Sequence, residues 1–365
     1  MDVTSIEVSE YPHPDALPAD VRQLFDIAER QHVEHGNPWF CNLIDSVFSD
    51  EKRARIYVAH REGKPMAALP VLLPIHGWSA EVESLSNYYT SVYGPAMADE
   101  CGVEDLASIV RTICARRPRP SSLKFAPMNP KSVGYRMLLE AMKLSKLMPY
   151  EYYCFGNWYL NVTGDWAAYW KGRRANLRST VKRMSTKFAA DNGHIELVRK
   201  PQELARAMNA YEKVYASSWK KPEPYPNFVT GLARTCAEND WLRMAIAWLG
   251  EIPIAAQLWI VVGDKANIYK VAYDEQYKAY APGSLLTAML TEHVIEKDHV
   301  KEVDFLIGDD SYKRSWMSDR RERWGIVAYN PRSIAGLAGL CTEILGRASK
   351  DIRTQLCQWN DSRKT

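Results

Sequence analysis

The sequence predicts an α+β protein with mixed sheets, built from two tandem domains of the same plan and ending in an amphipathic helix. With 365 residues, the chain is longer than one ordinary hydrophobic core accommodates, and it fits two domains. A strand–turn–strand unit followed by a helix and a closing strand occurs in each half. We therefore assign residues 1–150 to the first domain, 151–330 to the second and 331–365 to a C-terminal helical tail.

The first domain is predicted from two apolar strands separated by a glycine-containing turn. The segments RIYVAH and PMAALPVLL are rich in β-branched and other apolar residues, and Arg61–Lys64 between them has the composition of a turn. The predicted elements are a helix at Val21–His35, strands at Arg55–His60 and Pro65–Leu73, a helix at Val103–Cys114 and a strand at Ser122–Phe125.

The second domain repeats this order with clearer signals. A long helix at Gln202–Ser218 precedes it, and apolar residues at helical spacing predict the C-terminal helix, broken near Gly346. The other predicted elements are strands at Leu242–Leu249, Ile252–Val261 and Asn267–Tyr273, a helix at Gly283–Lys297 and a strand at Val303–Ile307.

Two short matches indicate that the second domain duplicates the first. Residues 65–68 (PMAA) and 253–256 (PIAA) each follow a turn that contains glycine, and residues 124–126 and 304–306 each follow the helix. Any two strand–turn–strand units look alike to some degree. The shared order of the elements favours a true duplication.

Composition excludes several classes of protein. The chain is 46% hydrophobic and 25% charged, which is typical of a globular protein, and its net charge of +3 is too small to indicate a nucleic-acid partner. Its seven cysteines form no C-x-x-C pair, and the N-terminus lacks the basic and apolar run of a signal peptide. No apolar stretch reaches the roughly 20 residues of a membrane span. We expect a cytoplasmic protein without a metal, in which His32–His35 is a surface segment.

The start of the helix after Asn267–Tyr273 is the strongest candidate for a ligand site. Backbone N–H groups at a helix N-terminus attract anions, and Gly283 lets a ligand approach the backbone closely. We expect the N–H groups of Gly283, Ser284 and Leu285 to bind a pyrophosphate, with Lys278 adding a positive charge. An ordinary Pro-Gly helix start is the alternative.

Acid–base chemistry has several candidates near the end of the closing strand. Asp304 is a candidate general base, with a structural salt bridge as the alternative. Tyr273 and Tyr312 carry phenols that suit the protonation of a leaving sulfur. Asp309 is a candidate substrate contact, with a tight turn as the alternative. Gln257 is the polar side chain of an apolar run, where it is either a core amide or an acceptor contact.

As a set, the motifs of residues 155–330 resemble the GNAT acyltransferase superfamily, in the paired-domain branch that includes FemAB-type and CelD-like proteins. Residues 20–150 resemble it more loosely, which implies that the first domain is a degenerate GNAT-like domain and that the second carries the donor site. One departure is that the phosphate loop of the family is reduced here to a single glycine at the helix start. The matching residues are Trp170, Arg173, Arg174, Leu177, Arg178, Gly250, 253–257, Tyr269, Lys270, Tyr273, Asp274, 282–286, Asp304, Phe305, 308–310, Tyr312 and Lys313.

The resemblance implies an N-acyltransferase that uses acetyl-CoA or another acyl-CoA as co-substrate and a small-molecule or cell-envelope acceptor, with an amine or hydroxyl as nucleophile. It implies that the thioester lies along the strand Ile252–Val261. It places Tyr312 and Lys313 beside the acceptor and Lys270 on the substrate side. Separately, Trp219 begins a proline-containing segment that is either a rigid acceptor-side loop or a simple helix terminus. Arg173, Arg174 and Arg178 are expected to bind donor phosphates or an anionic acceptor.

Two other functions stay open at this point. One is a FemAB-like transfer of an amino acid from aminoacyl-tRNA, although no long heptad insertion for a coiled-coil arm is present. The other is a non-catalytic partner in exopolysaccharide assembly. A tRNA partner is expected only under the first of these, and the sequence leaves the oligomeric state open.

Overall fold

The computed structural model describes residues 5–49, 53–74 and 80–361, with side chains of the last helix described as far as residue 347. The chain forms two compact units that are discontinuous in sequence. Unit 1 contains the described residues of 1–24, 50–154 and 324–365, and unit 2 contains residues 25–49 and 155–323.

Strands are numbered in chain order over the described residues. They are β1 (Ile6–Tyr11), β2 (Ala54–Arg61), β3 (Lys64–Leu72), β4 (Glu81–Ser84), β5 (Ala96–Met97), β6 (Ser122–Met128), β7 (Met148–Asn161), β8 (Gly193–Val198), β9 (Leu242–Leu249), β10 (Ile252–Val262), β11 (Lys265–Tyr273), β12 (Glu302–Asp304) and β13 (Asp319–Tyr329).

The α-helices are numbered in the same way. They are α1 (Ala19–Gln31), α2 (Asn37–Leu43), α3 (Val103–Ala115), α4 (Val133–Leu144), α5 (Trp166–Lys171), α6 (Ala175–Ala190), α7 (Pro201–Ala216), α8 (Pro226–Glu238), α9 (Pro282–Glu296), α10 (Ser311–Trp316) and α11 (Ile334–Asp361).

Unit 1 is a mixed sheet in the order β1-β2-β3-β4-β6-β13, with β5 also paired to β3. Its neighbouring strands are antiparallel except β4 and β6, which are parallel and are connected through α3. Helix α3 buries Leu106, Val110 and Ile113 at helical spacing in a core shared with the sheet. A single apolar helix face therefore covers the middle strands.

Unit 2 has the strand order β8-β9-β10-β11-β12-β7. Again one pair, β11 with β12, is parallel, and the connection between the two strands contains α9. Strand β10 is apolar and buried along most of its length because β9 and β11 flank it and α7 and α9 contact it.

The two units share one topology. Strands β1, β2, β3, β4, β6 and β13 correspond in order to β8, β9, β10, β11, β12 and β7. In each unit the central hairpin has an irregularity beside the proline that follows the turn, at Pro65 in β3 and at Pro253 in β10. The α+β class and the duplicated plan predicted from the sequence are confirmed.

The limits of the compact units differ from the predicted domains 1–150, 151–330 and 331–365. Residues 25–49 belong to unit 2, where Trp39 packs edge-on against Phe228 and Asn42 donates to the Phe228 carbonyl. The segment from Trp324 belongs to unit 1, because the second half of β13 pairs with β6. These contacts are distant in sequence, so composition alone did not locate them.

Three local predictions need correction. Strand β12 ends at Asp304, three residues early, because Asp304 accepts a hydrogen bond from the Leu306 N–H and Leu306 adopts a positive φ. Helix α11 continues through Gly346. The segment His32–His35 is not a surface segment: Glu34 is buried, and His32 lies 3.4 Å from the Lys265 ammonium. None of the described helices has the length and apolarity to cross a membrane.

Candidate functional site

A cavity of about 710 Å³ lies in unit 2 beside the start of α9. Eight of the predicted site residues line it, together with seven others. The lining residues are Trp219, Lys220, Gln257, Val271, Ala272, Tyr273, Lys278, Ala281, Pro282, Gly283, Ser284, Phe305, Asp310, Tyr312 and Lys313.

The cavity lies where β11 and β12 diverge. These strands pair only over Lys265–Asn267 of β11, so the remainder of β11 lacks a strand partner on that side among the described residues. Val271, Ala272 and Tyr273 of this open stretch line the cavity. Strand β10, along which the thioester was expected to lie, offers no open edge, because it is paired with β9 and β11 on its two sides.

The N-terminus of α9 opens into this cavity without a side-chain cap. A short 3-10 helix, Glu275–Tyr280, precedes it, and Ala281 at the N-cap has a left-handed backbone with φ of 48°. The N–H groups of Ser284 and Leu285 both donate to the Ala281 carbonyl, at 2.9 and 3.2 Å. Of the three predicted phosphate donors, only the Gly283 N–H has no bond to the described part of the protein. Leu285 is instead a buried core residue.

The corresponding helix of unit 1 shows the opposite arrangement. The N–H of Gly102, at the N-cap of α3, donates to the Asp105 carboxylate at 2.7 Å, and the same carboxylate pairs with Arg61 at 2.7 Å. Asp105 is 2% exposed. The protein's own carboxylate therefore occupies the position that an anion would take in unit 1, whereas the equivalent position in unit 2 is open to a ligand.

Cations outnumber anions in the cavity wall, where Lys220, Lys278 and Lys313 face one carboxylate, Asp310. The Lys313 ammonium donates to the carbonyls of Phe305, at 3.1 Å, and Ile307. Burial, reinforced by Lys270, lowers the pKa of Lys220 to about 8. The excess of positive charge in the wall favours an anionic ligand over a cationic one.

Tyr312 places a phenol in the cavity wall. Its hydroxyl lies 3.0 Å from the hydroxyl of Thr287, and although 38% of the residue is exposed, burial of the hydroxyl region raises its pKa. A phenol with a raised pKa stays protonated at neutral pH, as an acid must. Tyr273 also lines the cavity, with its ring 4.7 Å from that of Trp219.

Gln257 reaches the cavity, but its polar atoms are engaged within the protein. Its amide nitrogen donates to the Gly283 carbonyl and to the Thr287 hydroxyl, both at 2.8 Å. Its amide oxygen accepts a hydrogen bond from the Trp259 indole at 2.9 Å. Gln257 therefore fixes the first turn of α9 rather than offering a free amide to an acceptor.

Asp304 is brought into a buried charge network, outside the cavity lining. It is 1% exposed, pairs with Lys265 at 3.1 Å and with Arg321, and accepts from the Asn157 amide at 2.6 Å. Burial opposes its ionisation, but Lys265, Arg321 and the nearby Arg323 outweigh burial and hold its pKa well below the ordinary range. A carboxylate held in this way is a poor proton acceptor, so we do not retain it as the base.

Two further predicted substrate residues also lie outside the cavity lining. Lys270 is buried and pairs with Glu223 at 2.7 Å. Asp309 pairs with Arg320 at 2.7 Å and accepts from the Trp158 indole at 2.6 Å. The Arg320 hydrogen bond is the main reason that the pKa of Asp309 is lowered.

The three predicted arginines do not line the cavity of α9. Arg173 donates to the Trp316 carbonyl at 2.8 Å and to the Ser318 hydroxyl at 2.7 Å, and it lines a separate cavity of about 480 Å³. Arg174 is exposed at the start of α6, and Arg178 is partly exposed one turn later. Their expected phosphate contacts stay predictions.

Sequence reasoning missed Lys220 and Thr287 as site residues. Lys220 follows the predicted Trp219 directly in sequence, so proximity was an available signal. Thr287 lies four residues after Gly283 on α9, and this helical spacing places the two residues on one face. Its importance depends on contacts that only the folded chain reveals.

Comparison with known proteins agrees with this geometry. A family model described as an acetyltransferase (GNAT) domain matches residues 172–314. No curated protein matches the sequence.

Three solved structures illustrate the fold. FemX is 9% identical, with a TM-score of 0.59 over 88% of this chain and 97% of that one. The C-terminal domain of a proposed lysylphosphatidylglycerol synthetase from Agrobacterium fabrum is 14% identical, with a TM-score of 0.53 over 89% and 96%. A conserved protein of unknown function from Bacteroides thetaiotaomicron is 10% identical, with a TM-score of 0.53 over 80% and 90%.

At these identities the structural likeness concerns the fold alone, and the family model supplies the name of the domain. Residues 172–314 therefore match the model of a GNAT acetyltransferase domain, and the fold of the chain is similar to that of FemX.

Proposed function

We propose that the protein is an acyltransferase that moves an acyl group from acyl-CoA, with acetyl-CoA the simplest donor, to an amine or hydroxyl of a small-molecule or cell-envelope-related acceptor. The observation that carries the proposal is the uncapped start of α9, where the free N–H of Gly283 and the lysine-rich wall face one cavity. Helix N-termini and cations together suit a pyrophosphate.

The cavity supplies the groups that acyl transfer needs. The open stretch of β11 lies beside the Gly283 site and gives the thioester an extended surface. The acceptor nitrogen or oxygen attacks the thioester carbon, the carbon–sulfur bond breaks, and the sulfur takes a proton from the Tyr312 hydroxyl. The acceptor loses one proton to solvent, and solvent returns one proton to the Tyr312 phenolate, so the protons balance over the reaction. Lys313, which faces the same cavity, adds positive charge against a developing oxyanion.

Thermal unfolding with CoA, acetyl-CoA and longer acyl-CoAs tests the donor. We expect a saturable rise in Tm, since a ligand at 100 times its Kd stabilises a protein by about 2.7 kcal/mol. Gly283→Trp should abolish the rise because the indole would fill the cavity. Gly283→Ala is the matched control, because a Cβ there would lie 3.5 Å from the Tyr273 ring, an ordinary contact. The absence of any shift in the unmodified protein would refute the proposal.

The pH dependence of CoA binding is a second expected result. Lys220 carries a positive charge below its pKa of about 8 and loses it above. The affinity for CoA, measured by calorimetry, should therefore fall as pH rises from 7 to 9, by roughly threefold to tenfold for one nearby charge. Lys220→Arg should keep its charge and remove most of this dependence. An unchanged profile in Lys220→Arg would show that Lys220 does not face the anion.

An aminoacyl-tRNA donor is the second candidate, favoured by the surface of α6. Arg174, Arg178 and Lys182 recur at four-residue spacing, followed by Arg183 and Lys187, and no acidic residue interrupts residues 166–190. No salt bridge to any of them occurs in the described part of the chain. Such a surface suits a phosphate backbone.

Salt dependence separates the two donors. Binding of tRNA through several phosphates should weaken steeply as salt rises, and Arg174→Gln with Lys182→Gln should reduce the slope. An acyl-CoA enzyme should bind CoA and show only weak, non-selective binding of tRNA.

A further inference from the structure

A hydrogen-bonded chain behind the cavity connects the core of unit 2 to the phenol of Tyr312. It begins at the buried Trp259 indole, which donates to the Gln257 amide oxygen at 2.9 Å. The Gln257 nitrogen donates to the Thr287 hydroxyl at 2.8 Å, and Thr287 lies 3.0 Å from the Tyr312 hydroxyl. Gln257 and Thr287 are 1% and 0% exposed, so water does not replace these bonds.

The Thr287 hydroxyl has two alternative acceptors for its single proton. It lies 2.9 Å from the Gly283 carbonyl and 3.0 Å from the Tyr312 oxygen, and in the second pair either oxygen can be the donor. The Gly283 carbonyl also accepts from Gln257 at 2.8 Å. This carbonyl therefore keeps a hydrogen bond when the Thr287 proton turns away, so turning leaves no buried group unsatisfied.

We propose that Gln257 and Thr287 are positioning residues for Tyr312, with the Thr287 hydroxyl turning its proton from the Gly283 carbonyl to the Tyr312 oxygen as that phenol gives up its own proton. This inference rests on the proposed acyl transfer. When the carbon–sulfur bond breaks, its electron pair stays on sulfur and the Tyr312 proton transfers to it. The Thr287 hydroxyl then donates a hydrogen bond to the Tyr312 phenolate until solvent returns a proton to Tyr312.

The number of hydrogen-bond donors and acceptors around Thr287 also decides where its hydroxyl proton points in the resting site. While Thr287 donates to the Gly283 carbonyl, its oxygen accepts from Gln257 and has a second lone pair for the Tyr312 hydroxyl. When Thr287 donates to Tyr312, the phenol proton is released toward the cavity. Gln257 holds the Thr287 oxygen in place in both states, which explains why a polar side chain occupies an otherwise apolar stretch of β10.

Thr287→Val tests this inference, because valine keeps the shape and removes the hydroxyl. The matched control is Thr291→Val, one turn later on α9. Thr291 is also 0% exposed, and its hydroxyl donates to a backbone carbonyl, that of Thr287, at 2.6 Å. Thr291 has no hydrogen bond to Tyr312. Removing the Thr291 hydroxyl therefore deletes the same chemical group without changing the hydrogen bonds that connect Trp259 to Tyr312. Thr287→Ser keeps a hydroxyl at this position and should therefore keep the hydrogen bond to Tyr312.

The first readout is the ionisation of Tyr312, followed by 19F NMR in protein labelled with 3-fluorotyrosine and assigned by loss of a signal in Tyr312→Phe. Fluorine acidifies the phenol and brings its titration into a milder pH range. A hydrogen bond from Thr287 stabilises the phenolate, so its loss should raise the Tyr312 pKa. We expect Thr287→Val to raise the titration midpoint by about one pH unit relative to Thr291→Val, and Thr287→Ser to return it.

The second readout is acyl transfer, where Thr287→Val should lower kcat about tenfold or more with little change in KM. Equal titration midpoints in Thr287→Val and Thr291→Val would overturn the inference, whatever the activity. If the midpoints differ but the unmodified protein neither binds nor uses acyl-CoA, the hydrogen-bonded chain stands and the proposed donor fails. Equal loss of Tm in the two valine variants would confirm that they are comparable in stability.

Discussion

Replacing Asp304 with asparagine is expected to destabilise unit 2 rather than to remove a catalytic base. The carboxylate is buried among Lys265, Arg321 and Arg323, and its removal leaves Glu302 as the carboxylate paired with Lys265 and Arg321, so positive charge exceeds negative charge in this buried network. Removing one partner from a buried ion pair costs about 3–5 kcal/mol. We expect a loss of this size in the free energy of unfolding, measured by urea denaturation at pH 7.

The pH dependence gives this prediction a second test. The pKa of Asp304 is lower in the folded protein than in the unfolded chain. Its contribution to stability is therefore complete above the unfolded value near 3.8 and is lost as pH falls toward the folded value. The stability of the unmodified protein should fall in acid, and Asp304→Asn should lack this part of the fall.

Asp309→Asn is the matched control for Asp304→Asn. Asp309 lies five residues away and also pairs with an arginine, but its ion pair is solvent-exposed. An exposed pair contributes much less to stability. If Asp304→Asn unfolded at the same urea concentration as the unmodified protein and lost only kcat, Asp304 would be catalytic after all.

Removing the Tyr312 hydroxyl is expected to have the largest effect on the chemical step. General acid catalysis contributes about a hundredfold to ten-thousandfold, so Tyr312→Phe should lower kcat by at least a hundredfold with acyl-CoA as donor. Because the pKa of Tyr312 is raised, the unmodified enzyme should keep this acid protonated throughout the neutral range. The alkaline loss of rate due to Tyr312 should begin only above the ordinary phenol pKa of 10.0.

Tyr273→Phe provides the comparison, because Tyr273 lines the same cavity and was also a candidate acid from the sequence. Its ring packs on Trp219, whereas the Tyr312 hydroxyl bonds to Thr287. We expect a much smaller loss of kcat in Tyr273→Phe. A larger loss there than in Tyr312→Phe would transfer the role of the acid to Tyr273. Single-turnover measurements would separate this step from product release.

Most of the central elements were predictable because their signals are local. The apolar strands on either side of Gly250 and the helix after Pro282 match β9, β10 and α9 to within a residue. Strand β12 was predicted too long, because its end depends on the Asp304 side chain and on the backbone of Leu306. Strand β13 was not predicted, since its second half is defined by pairing with β6, about 200 positions earlier in the chain.

The sequence by itself determined the fold class and the duplicated plan, and it located the candidate anion site at Gly283, because hydrophobic period, turn chemistry and helix starts are encoded within a few neighbouring residues. Only the tertiary structure decided which polar residues face the cavity. It separated Tyr312 and Lys313, which line the cavity, from Asp304, which is ionised and paired with buried cations in the core. It also gave Gln257 a structural partner in Thr287. The physical reason is that the role of an ionisable or polar group depends on its partners and its burial, and strands distant in sequence supply both.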